Sequence, residues 1–218
     1  MQYTIKRTNR KTISITVKNG SVIVTAPQNA SQNNIEDFVL LKRDWIARHV
    51  AQQKTNINPL VVNYRAILLY GNLIEIKYKS DIVATELRDN ILYLNTQYQA
   101  NPKTEIVKWL RSMACVLLQE ELSSISAAVS IPFSGFRLGN INAKRVWGSC
   151  NSKNKIMLNF RLIMVPKPLY RYVILHELCH TIHLNHSREY YLLLDKICPN
   201  HKQLKAELKK WSQLNTIY

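Results

Sequence analysis

Four of the six histidines in this 218-residue chain fall in one stretch, HELCHTIHLNH, at residues 176–186. His176 and His180 are four residues apart, so on a helix their rings project from one face, one turn from each other. Two imidazoles placed in this way can bind a single metal ion, each at about 2.0–2.1 Å. The spacing therefore predicts a metal centre built on a helix.

Glu177 directly follows His176 and is a candidate catalytic residue for the predicted metal centre. At about 3.6 residues per turn, its side chain is offset by about 100° from His176, which makes it a poor third ligand. It can instead lean over a water molecule on the metal and act as general base, as in other H-E-x-x-H sites. We therefore expect a zinc-dependent hydrolase in which Glu177 is catalytic and activates a zinc-bound water.

A third ligand is required, because a catalytic zinc usually takes three protein ligands and one water. His183 lies one turn beyond His180, and on a straight helix its ring would sit past the ion. His186 reaches the ion only after a sharp turn, and Asn185 tolerates the left-handed conformation that ends helices. We predict one zinc ion per chain, bound by His176, His180 and His186, although three imidazoles also suit other divalent metals.

Motifs on both sides of the histidine cluster carry a family resemblance. The chain contains W-G-S-C at Trp147–Cys150, L-N-F-R-L at Leu158–Leu162 and N-H-S at Asn185–Ser187. Upstream, NRKTISITVKNGSVIVTAP and a segment with RDWIARHV extend the match. In these features the sequence resembles the YgjP-type family of predicted zinc metallopeptidases, which is related to the SprT-like and WLM zincins. The resemblance implies a gluzincin-related catalytic half, peptide or protein substrates, and His186 as third ligand.

Other residues are candidates for the substrate cleft or for hydrogen bonds to the ligands. They are His183, Trp147, Ser149, Arg161 and Tyr190. Hydrolysis needs a donor to the developing oxyanion, and Tyr190, Tyr191 and Arg161 have suitable groups. Each also has a structural alternative: the tyrosines pack the helix after His186, Arg161 pairs with Glu189, and the Trp-Gly-Ser segment forms a tight turn.

The first half of the chain reads mainly as strands. KTISITV and SVIVTAP alternate polar and apolar residues around Asn19-Gly20, which predicts a β-hairpin. A helix capped by Asn34 should follow, with a core-facing side made by Ile35, Phe38, Leu41 and Trp45. The segments AILLYG, LIEIKYK and ILYLN are further strand candidates.

The second half reads mainly as helices. Pro102 opens a long helical pattern, and a strand through Ile156 and Leu158 precedes the next helix. That helix starts near Pro168 and carries the histidines, with Ile174, Leu178 and Ile182 facing the core. We predict an α+β protein, with a β-rich lobe containing one helix at 1–100 and a zincin-like metallopeptidase domain at 101–218.

The charge balance leaves two alternative functions open. Thirty Lys and Arg against fourteen Asp and Glu give a formal net charge of +16, scattered along the chain. Such a surface favours polyanions, so a metal-dependent nucleoside triphosphate hydrolase and a nucleic-acid-associated protein or DNA-dependent protease are the alternatives. The start of the chain has no continuous apolar run, and no window approaches a membrane span, so we expect a cytoplasmic protein without membrane contact.

Overall fold

The computed structural model describes residues 2–18, 21–54, 61, 63–139, 146–212 and 214. Over these residues the chain has six α-helices and three small sheets, which confirms the expected mixture of helix and strand. The chain divides into two compact units, Met1–Ile57 and Asn58–Tyr218. The boundary near residue 100 stays a prediction for the extent of the catalytic domain.

The first unit pairs a three-stranded sheet with two helices. Its elements are β1 (Thr4–Thr8), β2 (Ser14–Lys18), β3 (Ser21–Pro27), α1 (Gln32–Leu41) and α2 (Arg43–Lys54). β3 lies in the middle, parallel to β1 and antiparallel to β2. Alternate residues of β3, namely Val22, Val24 and Ala26, are buried against apolar side chains of the helices. This pairing of β2 with β3 confirms the predicted hairpin, whose Asn19-Gly20 turn lies outside the described residues.

The helix after the hairpin differs from the expectation in two ways. Its cap is Ser31, whose hydroxyl accepts a hydrogen bond from the N–H of Asn34 at 3.2 Å, so Asn34 is not the cap. The helix also ends at Leu41, and Lys42 separates it from α2. Because the helical register is interrupted there, Leu41 is exposed instead of facing the core.

The second unit begins with a four-stranded sheet. Its strands are β4 (Ala66–Leu69), β5 (Asn72–Lys79), β6 (Glu86–Arg88) and β7 (Ile91–Asn95), in the order β4-β5-β7-β6. The β4–β5 turn uses Tyr70 and Gly71, both with positive φ. Their N–H groups donate to the carbonyl oxygens of Ile163 and Met164 at 2.8 and 3.0 Å. The hairpin tip is thereby fixed to the segment that precedes the histidine helix.

Helices dominate the rest of the second unit. After a short 3₁₀ helix, Thr96–Tyr98, the elements are α3 (Lys103–Val129), β8 (Gly135–Leu138), β9 (Gly148–Cys150), β10 (Lys155–Leu158), the 3₁₀ helix Phe160–Met164, α4 (Lys167–Cys179), α5 (Arg188–Ile197) and α6 (His201–Lys210). β10 lies between β8, which is parallel to it, and β9, which is antiparallel. None of the described helices combines the length and the apolar character needed to span a bilayer.

Helix α4, which carries the histidine motif, is held on α3 by a half-buried acid. Glu121 of α3 accepts from Lys167 Nζ and Arg171 Nε, each at 2.9 Å. Pro168 lies in the first turn of α4, as predicted, and Ile174 and Leu178 are buried. The core, an ion network and a first-turn proline thus determine where the helix begins and which face it buries.

Candidate metal centre

His176, His180 and His186 bring one ring nitrogen each to a common point. The three nitrogens all lie within 4.8 Å of one another, and Nε2 of His176 is 3.4 Å from Nε2 of His186. Two imidazole nitrogens at about 2.0–2.1 Å from one tetrahedral ion would be about 3.3 Å apart. The spacing and the all-imidazole donor set therefore fit a single transition-metal ion of zinc type.

The approach of His186 depends on a tightened helix end. Helix α4 ends at Cys179, and the N–H groups of His180 and Thr181 donate to carbonyls only three residues back, at 3.1 and 3.0 Å. The chain then reverses and enters α5, whose first turn is capped by the Ser187 hydroxyl accepting from the N–H of Tyr190. Because Ser187 is the N-cap of α5, His186 lies immediately before that helix, and its ring faces His176 of α4.

This turn forms differently from the expectation. Among the described residues, the non-glycine positions with positive φ are Tyr64, Tyr70, Asp89, Asn90, Ser130 and Asn154. Asn185 is not one of them, so the turn before His186 forms without the left-handed conformation that asparagine tolerates. Ile182, predicted to face the core, is 52% exposed because the helix has already ended three residues before it. The reversal is distributed over residues 180–187.

Hydrogen bonds to the Nδ1 atoms orient two of the three rings. Nδ1 of His180 is 3.0 Å from the carbonyl oxygen of His183, and Nδ1 of His176 is 2.6 Å from the hydroxyl of Tyr190. Donation from Nδ1 leaves the Nε2 lone pair available for a metal. His183 therefore reaches the cluster through its backbone carbonyl, a contribution that its side-chain type does not reveal.

Burial and mutual repulsion favour the neutral form of the His176 and His186 imidazoles. The pKa of His176 is lowered to about 3 by burial and by the neighbouring His180 and His186 rings. The pKa of His186 is also lowered, by burial and by His180. Neutral imidazole is the form that can donate a lone pair to a metal ion. His176 and His186 are therefore in a metal-binding form at neutral pH.

Glu177 lies on the inner side of α4, against β9. It is 4% exposed, and burial raises the pKa of its carboxyl group to about 8. Glycine at 148 makes room for it, since a Cβ atom there would come within 2.7 Å of Glu177 Oε1. The strand that follows Trp147 thus forms one wall of the carboxylate's pocket.

The remaining candidates occupy different surroundings. Trp147 is half-buried just before β9, and its carbonyl accepts from the N–H of Asn159 at 2.8 Å. Ser149 is exposed on β9. Arg161 is buried in the 3₁₀ helix, with its guanidinium 4.4 Å from the centre of the Phe160 ring. Of the five additional candidates, the contacts above join Tyr190 and the His183 carbonyl directly to the histidine cluster.

Two aromatic neighbours were missed by sequence reasoning. Tyr172 is buried with its ring centre 5.9 Å from that of His176, and it lies one helical turn before it. His201 is also buried; its Nε2 lies 2.9 Å from Asp195 Oδ1, and its ring stacks near Tyr191. The four-residue spacing from His176 is a signal that could have identified Tyr172. His201 follows a helix boundary, and the sequence gives no comparable signal for it.

The comparison with known protein families agrees with this geometry. The chain matches the family described as YgjP-like, metallopeptidase domain, over residues 11–211. This match, which spans almost all of the chain, places it in the metallopeptidase class. The chain belongs to the YgjP-like family, as its motifs suggested. Comparisons with curated proteins and with solved structures gave no significant match. Family and histidine cluster together support a metal-dependent hydrolase.

Proposed function

We propose that this chain is a zinc-dependent metallopeptidase whose zinc ligands are His176, His180 and His186. The observation that carries the proposal is the convergence of three imidazole nitrogens within 4.8 Å of one another. His176 and His180 are half-buried beside the exposed His186. Withdrawing polar rings from water has a desolvation cost that a bound ion would offset. The family supports peptide hydrolysis as the reaction.

Each residue then has a chemical role. Zinc bound there would polarise a substrate carbonyl and lower the pKa of its bound water to about 7. A bound cation would favour the ionised form of Glu177, which then takes up the proton released during attack and passes it to the leaving amine. Its pocket against Gly148 excludes bulk water from one side of the carboxylate and fixes its direction. The backbone carbonyl of His183 holds the His180 ring.

The strand next to the site suits a peptide substrate. In the described part of the chain, β9 is an outer strand of its sheet, because β10 pairs with it on one side and with β8 on the other. An extended peptide can add to such an edge through main-chain hydrogen bonds. We accordingly assign β8–β10 with α4 and α5 to a zincin-like, gluzincin-related catalytic half. A peptide is favoured over a nucleotide by this edge and by the family.

The decisive test is Glu177→Gln, assayed on casein, unstructured peptides and nucleoside triphosphates. We expect peptide hydrolysis to fall by about 10²–10⁴-fold, the usual contribution of a general base, with zinc content unchanged. Glu120→Gln, an exposed change on α3, is the control and should keep full activity. Unchanged peptide hydrolysis in a fully loaded Glu177→Gln protein would refute the proposal. Selective loss of nucleotide hydrolysis would instead favour the phosphoanhydride alternative.

A further inference from the structure

Tyr190 touches all three histidines of the cluster, although it belongs to the next helix. Its side chain is fully buried. Its ring stacks on His180 with centroids 4.6 Å apart, and lies edge-on to His186 at 4.8 Å and to His176 at 5.5 Å. The Ser187 cap fixes its backbone at the start of α5. The buried ring of Tyr190 therefore packs against all three histidine rings of the cluster.

The hydroxyl of Tyr190 has two partners on the same residue. It lies 2.6 Å from Nδ1 of His176 and 3.3 Å from the backbone carbonyl oxygen of His176. The carbonyl can only accept, so it takes the phenolic proton. The phenolic oxygen is then free to accept the Nδ1–H of His176. This arrangement holds the His176 proton on Nδ1 and leaves the Nε2 lone pair directed at the cluster.

We propose that Tyr190 is a positioning residue that selects the metal-binding tautomer of His176 and prepares the cluster before metal arrives. The inference rests on the proposed zinc site. Many metal-binding histidines donate their second nitrogen to a carboxylate or a carbonyl. In this chain the acceptor is the buried phenol of Tyr190, so a neutral group determines which tautomer His176 adopts. Tyr190 is thus excluded as an oxyanion donor, because its hydroxyl is occupied on the far side of His176.

The test is Tyr190→Phe, which keeps the ring and removes only the hydroxyl. We expect zinc affinity, measured by competition with a chromogenic chelator, to fall by about 10–100-fold. Tyr170→Phe is the matched control, since it removes another buried tyrosine hydroxyl, one that contacts Glu121 at 3.4 Å. Its zinc affinity should equal that of the wild type.

A second readout needs no metal and no activity. Nitrogen-15 chemical shifts of the His176 ring in the metal-free wild type should report the Nδ1–H tautomer, and Tyr190→Phe should lose this preference. The inference is overturned if the metal-free wild type holds the Nε2–H tautomer, or if Tyr190→Phe binds zinc as tightly as the wild type. A wild type that takes up no zinc would refute the proposed function, while the tautomer measurement would still decide the role of Tyr190.

Discussion

Replacing Gly148 by alanine should reduce peptide hydrolysis while the zinc content stays full. The added Cβ would lie 2.7 Å from Oε1, 2.8 Å from Cγ and 3.0 Å from Cδ of Glu177. Real contacts of a Cβ atom are rarely this short, so either the carboxylate or the strand must move. The strand is paired with Leu158 in the β10 register, and the preceding Trp147 carbonyl is hydrogen-bonded to Asn159. The side chain of Glu177 should therefore yield first.

The size of the effect follows from the overlap. Relieving contacts of 2.7–3.0 Å to ordinary distances requires a shift of about 1 Å, and a misplacement of that size can cost about 10²-fold in rate. Overpacking a buried site costs typically about 1–3 kcal/mol in stability. Since a flexible carboxylate absorbs most of the overlap, we expect the lower end of that range. Zinc content should stay full, because the three histidines are not displaced.

The assay compares kcat/KM for peptide hydrolysis, zinc content and Tm. Gly135→Ala is the matched control in the same sheet: its Cβ would lie 3.7 Å from Lys155 Cγ, an ordinary contact. If Gly148→Ala keeps the wild-type kcat/KM, the position of the Glu177 carboxylate does not require the absence of a Cβ atom at residue 148. Loss of zinc would show that β9 supports the ligands instead of the carboxylate.

Two further predictions concern stability. Burial raises the pKa of Glu121, but hydrogen bonds and charges from Lys167 and Arg171 outweigh it and hold the pKa below its ordinary value of 4.5. Because the pKa of Glu121 is lower in the folded state, its ionised carboxylate stabilises the fold at pH values above 4.5. This stabilisation is lost as the pH falls through the folded-state pKa. Glu121→Gln should therefore lower the free energy of unfolding by about 1–2 kcal/mol at neutral pH, with a difference that shrinks in acid; a pH-independent difference in Tm would contradict this. Removing zinc with a chelator should lower Tm, because free zinc at about 100 times Kd stabilises the folded state by about 2.7 kcal/mol; an unchanged Tm would contradict a zinc site specific to the folded protein.

Side-chain periodicity predicts those features of this fold that depend on side-chain type. Alternation in β2 and β3 predicted their pairing, and the i, i+4 spacing brought His176 and His180 to one place. The ends of the helices were harder to predict from the sequence, because they depend on tertiary contacts and on backbone carbonyl groups that every residue has. Ile182 illustrates this: its position continues the helical pattern, yet the helix stops at Cys179.

The surroundings of the site were harder to predict for a related reason. The His183 carbonyl is a backbone group, and no residue type identifies it. Tyr190 was a candidate by type for an oxyanion donor, but the direction of its hydroxyl is set by the Ser187 cap and the reversal after α4. Sequence spacing therefore indicates which residues can bind a metal. The hydrogen bonds that orient them follow only from the folded chain.

Metal content by elemental analysis of the wild type, His183→Ala and His186→Ala decides which histidines bind the ion. We expect one zinc per chain in the wild type, retained in His183→Ala because that residue acts through its backbone carbonyl. His186→Ala should lose the ion, since it removes one of the three converging nitrogens. Zinc lost from His183→Ala but kept by His186→Ala would contradict the ligand set.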